Sequence, residues 1–120
     1  MAEGKGVFGP IALTPIAGDG IIGAVANPEE ADVIITRVTV DVTTESDGAA
    51  NLTAGVAANA TTQNDGLIDA TAIGAAPVVV DSVDATQNVA KWEADQFLTF
   101  HGSAATTGLV ANAYVEYFRV

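Results

Sequence analysis

The chain has one histidine, His101, and no cysteine. His101 lies between Phe100 and Gly102, with Ser103 two positions on. A Ser-His-Asp device built from these residues would need a distant aspartate and a serine held at hydrogen-bond distance, because a triad is defined by geometry. The Gly-x-Ser-x-Gly turn that presents a nucleophilic serine is missing, so His101 reads as a strand-end histidine without catalytic duty. One histidine without cysteine excludes most zinc and copper donor sets and leaves only oxygen sites for calcium or magnesium. The nearest candidates are Asp65 with Asp69 and Glu45 with Asp47. Each pair offers two carboxylates where calcium takes about six or more oxygens, so both read as solvated turn residues. The tract Gly18-Asp19-Gly20-Ile21-Ile22-Gly23 copies a dinucleotide fingerprint but lacks a preceding buried strand and a following helix. No catalytic residue, cofactor or metal is expected.

The remaining candidates concern contact with other molecules. Val7, Phe8, Ile11, Leu13 and Ile16 fall in a segment broken by Pro10, Pro15 and several glycines, which forbids a helix and favours extended chain. Residues 1–28 therefore read as an extended arm, and residues 29–120 as the folded domain. Exposed apolar surface invites association, so the arm either packs on its own domain or lies on a neighbouring subunit or larger surface. Arg37, one of four cations in the chain, is the other candidate. It either pairs with Asp41 on the same strand face or reaches a carboxylate on a neighbouring subunit. Trp92, Phe97, Phe100, Tyr114, Tyr117 and Phe118 could stack on sugars, and read more simply as core and interface residues.

The elements that must position these residues are strands. The stretch from Asp32 to Thr44 is dense in β-branched residues and free of glycine and proline. Ile34, Val38, Val40 and Val42 share one parity and Arg37, Thr39, Asp41 and Thr43 the other, the period-2 signature of a half-buried central strand. A return strand follows over Asn51–Thr62, after the turn formers Glu45-Ser46-Asp47-Gly48. Leu67–Ala76 reads as a loop, Ala76–Val83 as a compact strand, and Ala90–Gly102 as a strand pair or one bent strand. Leu109–Val120 alternates Ala111, Ala113, Val115 and Tyr117 against Tyr114, Glu116 and Phe118, and is expected to pair with the central strand. Strands with turn signals between them and no helix predict an all-β antiparallel sandwich or jelly-roll-like barrel. The chain's 120 residues suit one domain. With 15 acidic residues against four basic and a net charge of -11, phosphate backbones and anionic membranes should repel it. Neither nucleic acid nor membrane is an expected partner.

Four stretches carry a family resemblance: Arg37-Val-Thr-Val-Asp41-Val-Thr-Thr44, Gly48–Ala58, Leu67-Ile-Asp69, and Gly108–Tyr117. In rhythm and composition, over about residues 32 to 118, the chain resembles the small head decoration or cement proteins of tailed viruses. The resemblance implies a virion structural protein on the outer surface of the capsid, commonly a homotrimer, that binds the major capsid protein of the assembled shell and reinforces it. It brings no catalytic residues. A tail or spike component is the near alternative, and a carbohydrate-binding or adhesin-type sandwich module the more distant one.

Overall fold

A computed structural model describes residues 5–74, 78–82 and 90–120. Their strands are β1 (Lys5–Ala12), β2 (Gly20–Ala26), β3 (Val33–Thr44), β4 (Asn51–Ala57), β5 (Ile68–Ala72), β6 (Val78–Asp81), β7 (Ala90–Trp92), β8 (Phe97–Gly102) and β9 (Val110–Arg119). They make two antiparallel sheets. Sheet A runs β1-β9-β3-β6, with β7 also on β3, and sheet B runs β2-β8-β4-β5. The two sheets pack face to face, so of the two expected all-β architectures the chain adopts the sandwich. The core between them holds Val33, Ile35, Val38, Val40 and Val42 of β3 against Leu52, Leu98 and Phe100 of sheet B, closed at one end by Trp92.

The C-terminal strand pairs with β3 as expected, in register from Val33↔Arg119 to Thr44↔Val110. β3 itself is not one uninterrupted alternation. Ile35 faces Tyr117 and Arg37 faces Glu116, so Thr36 is an extra residue on β3, a β-bulge that turns the strand over by one parity. Val33 and Ile35 are therefore the core residues before it, and Val38, Val40 and Val42 those after it. Ile34, expected on the inward parity, is only half-buried. A second extra residue, Thr43, sits between the Val42 and Thr44 pairs. Each bulged threonine fills the gap it makes: Thr36 Oγ1 donates to Glu116 O (3.1 Å) and Thr43 Oγ1 donates to Val110 O (3.2 Å). On its other side β3 meets β7 over Val33–Ile35 and β6 over Thr39–Val42. Between the two, the hydroxyl of the fully buried Ser82 accepts the Val38 N–H at 2.8 Å, so the ladder stays satisfied.

The division into an arm and a domain does not hold for the described residues. β1 is an edge strand of sheet A, paired with β9, and β2 is an edge strand of sheet B, paired with β8. The physical reason is local satisfaction. The segment's N–H and C=O groups complete two ladders, Phe8 and Ile11 face inward opposite Val115 and Ala113, and Leu13 and Ile22 are buried. Pro10, which donates no backbone hydrogen bond, falls at the β1 bulge between the Phe8 and Ile11 pairs. Gly9 beside it has φ +146°, and a Cβ there would meet Ala113 O at 2.7 Å. The expected loop over Leu67–Ala76 also contains a strand: β5 pairs with β4 through a bulge, and the φ of 49° at Ala70 hides the alternation from view.

The parity reversal at Thr36 has a measurable consequence. Ile35→Ala should lower the urea-unfolding free energy by about 2–5 kcal/mol, as for other fully buried large-to-small changes, and Ile34→Ala by markedly less. Equal costs would contradict the bulge.

Candidate protein-interaction face

The alternation along β9 is unbroken. Ala111, Ala113, Val115 and Tyr117 point into the core, leaving Val110, Asn112, Tyr114, Glu116 and Phe118 on the outer face of sheet A. On β3 the rows beside them carry Asp41 next to Asn112, Thr39 next to Tyr114, Arg37 next to Glu116, and Ile34 next to Phe118. β1 adds Val7 opposite Glu116, and β6 adds Val79 opposite Asp41.

Apolar exposure is concentrated here. Among the described residues the large hydrophobic side chains most open to solvent are Val7 (68%), Val79 (61%), Val110, Tyr114, Phe118 and Val120. The first five belong to strands of sheet A, and Val120 directly follows β9. All four cations of the chain, Lys5, Arg37, Lys91 and Arg119, also belong to strands of that sheet. A groove of about 400 Å³ runs beside β1, lined by Gly6, Val7, Thr36, Glu116, Tyr117 and Phe118.

The outer face of sheet B differs. Residues 59–66 fold back over it: Thr99 Oγ1 donates to Thr62 O at 2.9 Å, and Gln63 Nε2 donates to Thr53 Oγ1 at 3.3 Å. Asn64 lies so close that a Cβ on Gly55 would collide with its Oδ1, so a larger residue at position 55 would have to displace the Asn64 side chain. Sheet B is therefore partly covered by its own chain.

Of the interaction residues expected from sequence, Val7 alone among the apolar ones is strongly exposed. Phe8, Ile11 and Ile16 pack against the core and Leu13 is buried, because the segment's ladders turn these side chains into their own domain. Arg37 is exposed, but it does not pair with Asp41. Its Nε and Nη2 both donate to Asp81 Oδ2 on the neighbouring β6, the Nε bond at 2.7 Å, and that carboxylate holds the guanidinium proton more tightly than usual. The pairing runs across strands, one row away from Asp41, because bulge and register put Asp81 opposite Thr39. Lys91 Nζ lies 3.6 Å from Asp32 Oδ2. Tyr114 and Phe118 are residues that sequence reasoning assigns to core or interface without choosing. Their strict alternation with Ala113, Val115 and Tyr117 is the signal that places them outside.

His101 stands opposite Thr53 and Ile21 in sheet B, with its Nδ1 buried and unpartnered. The Ser103 hydroxyl accepts the Asn51 N–H at 2.8 Å and is part of the backbone frame. Asp65 and Asp69, and likewise Glu45 and Asp47, are exposed side chains, and among the described residues no three potential ligands converge.

On the core side of β9, Tyr117 is anchored by its hydroxyl, which donates to Glu29 Oε2 at 2.5 Å. Burial, with the bond to Glu29 and its negative charge adding to it, pushes the Tyr117 pKa up to about 12 from 10.0. A phenol whose folded pKa is raised contributes stability that is intact below about pH 10 and is lost as pH rises toward 12. Wild-type stability should fall across that window. In Tyr117→Phe this part of the fall should vanish while stability near pH 7 drops modestly, measured by urea unfolding at several pH values.

No known protein family, curated protein or solved structure matches this chain.

Proposed function

We propose that this protein is a virion structural protein, a capsid decoration or cement protein that binds the outer surface of an assembled shell and stabilises it through the major capsid protein. The observation that supports the reading best is the gathering of exposed apolar side chains on one sheet face of an otherwise acidic sandwich. Val7, Val79, Tyr114 and Phe118 make a surface suited to contact with another protein. The resemblance carried by residues 32 to 118 supplies the viral context. A protein that binds the assembled lattice and not its free subunits stabilises the lattice by mass action, and several linked copies bind more tightly than one. Chemistry at an active site is not needed for that work.

A second reading has one observation in its favour. Tyr114 and Phe118, both 37% exposed, lie on one strand and one face, as in a sugar-stacking platform of a carbohydrate-binding or adhesin-type module. A tail or spike component differs from the first reading only in what the protein touches on the virion.

Particles assembled without the protein should break at lower temperature or milder osmotic stress, and adding it back should restore them. Tyr114→Ala with Phe118→Ala should weaken the restoration. Unchanged particle stability together with a glycan-array signal that the same double variant abolishes would replace the capsid reading by the sugar-binding one.

A further inference from the structure

A hydroxyl, an imidazole and a side-chain amide meet on the outer face of sheet B. Thr53 of β4 and His101 of β8 stand directly opposite each other, on the face away from the core residues Leu52, Ala54, Leu98 and Phe100. Cβ atoms of residues so paired lie about 4.5–5.5 Å apart, which lets hydroxyl and ring reach one another. Each lacks what the other has. His101 Nδ1 is closed to solvent and has no hydrogen-bond partner. The Thr53 hydroxyl accepts Gln63 Nε2 at 3.3 Å and, among the described residues, gives its own proton to no acceptor. Thr53 is buried on this outer face because residues 59–66 fold back over it. A buried nitrogen without a partner costs free energy, so its presence calls for a reason. Gln63 Cδ is one covalent bond from Nε2, so the Thr53 oxygen already stands beside a carbonyl carbon.

We propose that Thr53 and Gln63 close an ester cross-link within the chain, with His101 as the base. His101 Nδ1 takes the hydroxyl proton as Thr53 Oγ1 attacks Gln63 Cδ. The Oγ1–Cδ bond forms, the Cδ–Nε2 bond breaks with its electron pair leaving on nitrogen, and the proton held by His101 passes to that nitrogen. Ammonia departs, nothing is oxidised or reduced, and no co-reactant is consumed. One fold holds all three groups, so the step needs no encounter in solution. The cover that buries Thr53 also keeps water from the new ester oxygen. The bond ties residues 59–66 to β4 by joining side chains ten positions apart. The chain has no cysteine, so any covalent reinforcement of this sheet must use other side chains. The reaction runs once per chain, without turnover, and gives His101 a duty that its place in the sequence does not announce. It is independent of what the outer face of sheet A binds.

The test weighs the full chain by mass spectrometry. Wild-type protein kept near neutral pH should become lighter by one ammonia. Fragmentation of the tryptic peptide 38–91, which holds both residues, should then release no fragments ending between positions 53 and 63. Hydroxylamine, which opens esters and spares amides, should restore a linear chain with a hydroxamate at position 63. Thr53→Ser keeps a hydroxyl and should keep the loss. Thr53→Val has the same shape without the hydroxyl, and both it and Gln63→Ala should stay at full mass. His101→Ala and His101→Gln should form the link on the order of 100-fold more slowly, the share a positioned base supplies. A merely structural histidine would leave that rate unchanged in variants whose circular dichroism matches wild type. Three results would each overturn the proposal: wild type at full mass after prolonged incubation, an unchanged rate in a folded His101 variant, or ammonia loss that persists in Thr53→Val, as cyclising asparagine would give. Particle stability measured with Thr53→Val is a separate readout, so failure of the cross-link and failure of the capsid reading remain distinguishable.

Discussion

The rest of the structure is fitted to the unbroken alternation of β9. Its ten residues keep one parity from end to end, and both neighbours adjust to it. β1 inserts an extra residue at Gly9–Pro10, and β3 inserts Thr36 and Thr43. A strand that keeps strict period 2 cannot twist independently of its partners, so the mismatch in length and coil is absorbed by bulges in the strands beside it. The bulges leave few unpaired groups, because two threonine hydroxyls donate to β9 carbonyls and Ser82 accepts from β3. In sheet A the register shifts fall in β1 and β3 where they meet β9, and in sheet B where β2 meets β8 and β5 meets β4, while β4 pairs with β8 without a shift.

This arrangement makes the two outer faces unequal. On sheet B, residues 59–66 cover β4 and β8 side chains, and Gly55 admits the close approach of Asn64. On sheet A no such cover lies over β9 among the described residues, and Tyr114 and Phe118 stand beside Glu116 with solvent access. The charge distribution follows the same division. The cations belong to strands of sheet A, and the connections between strands carry Glu29, Glu30, Glu45, Asp47, Glu93 and Asp95. These acidic connections account for much of the chain's net charge of -11. One strand therefore serves both sides of the sheet: β9 packs Ala111, Ala113, Val115 and Tyr117 into the sandwich and leaves Val110, Tyr114, Glu116 and Phe118 on the outer face.

Much of this is legible in the residues themselves. The β-branched run of β3 and the alanine, valine and tyrosine alternation of β9 identify two long strands, and their pairing follows from the need to bury both. The turn formers at Asn27-Pro28 and Glu45–Gly48 mark real reversals. Asn27 is buried there, its Nδ2 donating to Ala31 O and Trp92 O. The departures share one cause. A simple period carried across a bulge or a proline puts Ile34 inward, leaves β5 as loop and detaches residues 1–28 as an arm. A bulge costs one residue and reverses every side chain beyond it, and nothing in local propensity announces that reversal.

Composition and period by themselves determined that this chain is an all-β domain with acidic surroundings and two principal strands, because β-branched alternation has few ways to bury one face. Which residues share a row across strands was decided only by the tertiary structure. Arg37 meets Asp81 instead of Asp41 because Asp81 arrives on β6, 44 positions along the chain, brought in by register. Val7 is exposed while Phe8 is packed because β9 supplies the ladder that orients both. Side-chain identity sets what each residue would do at a surface. Only long-range strand pairing determines which surface it reaches and what stands beside it there.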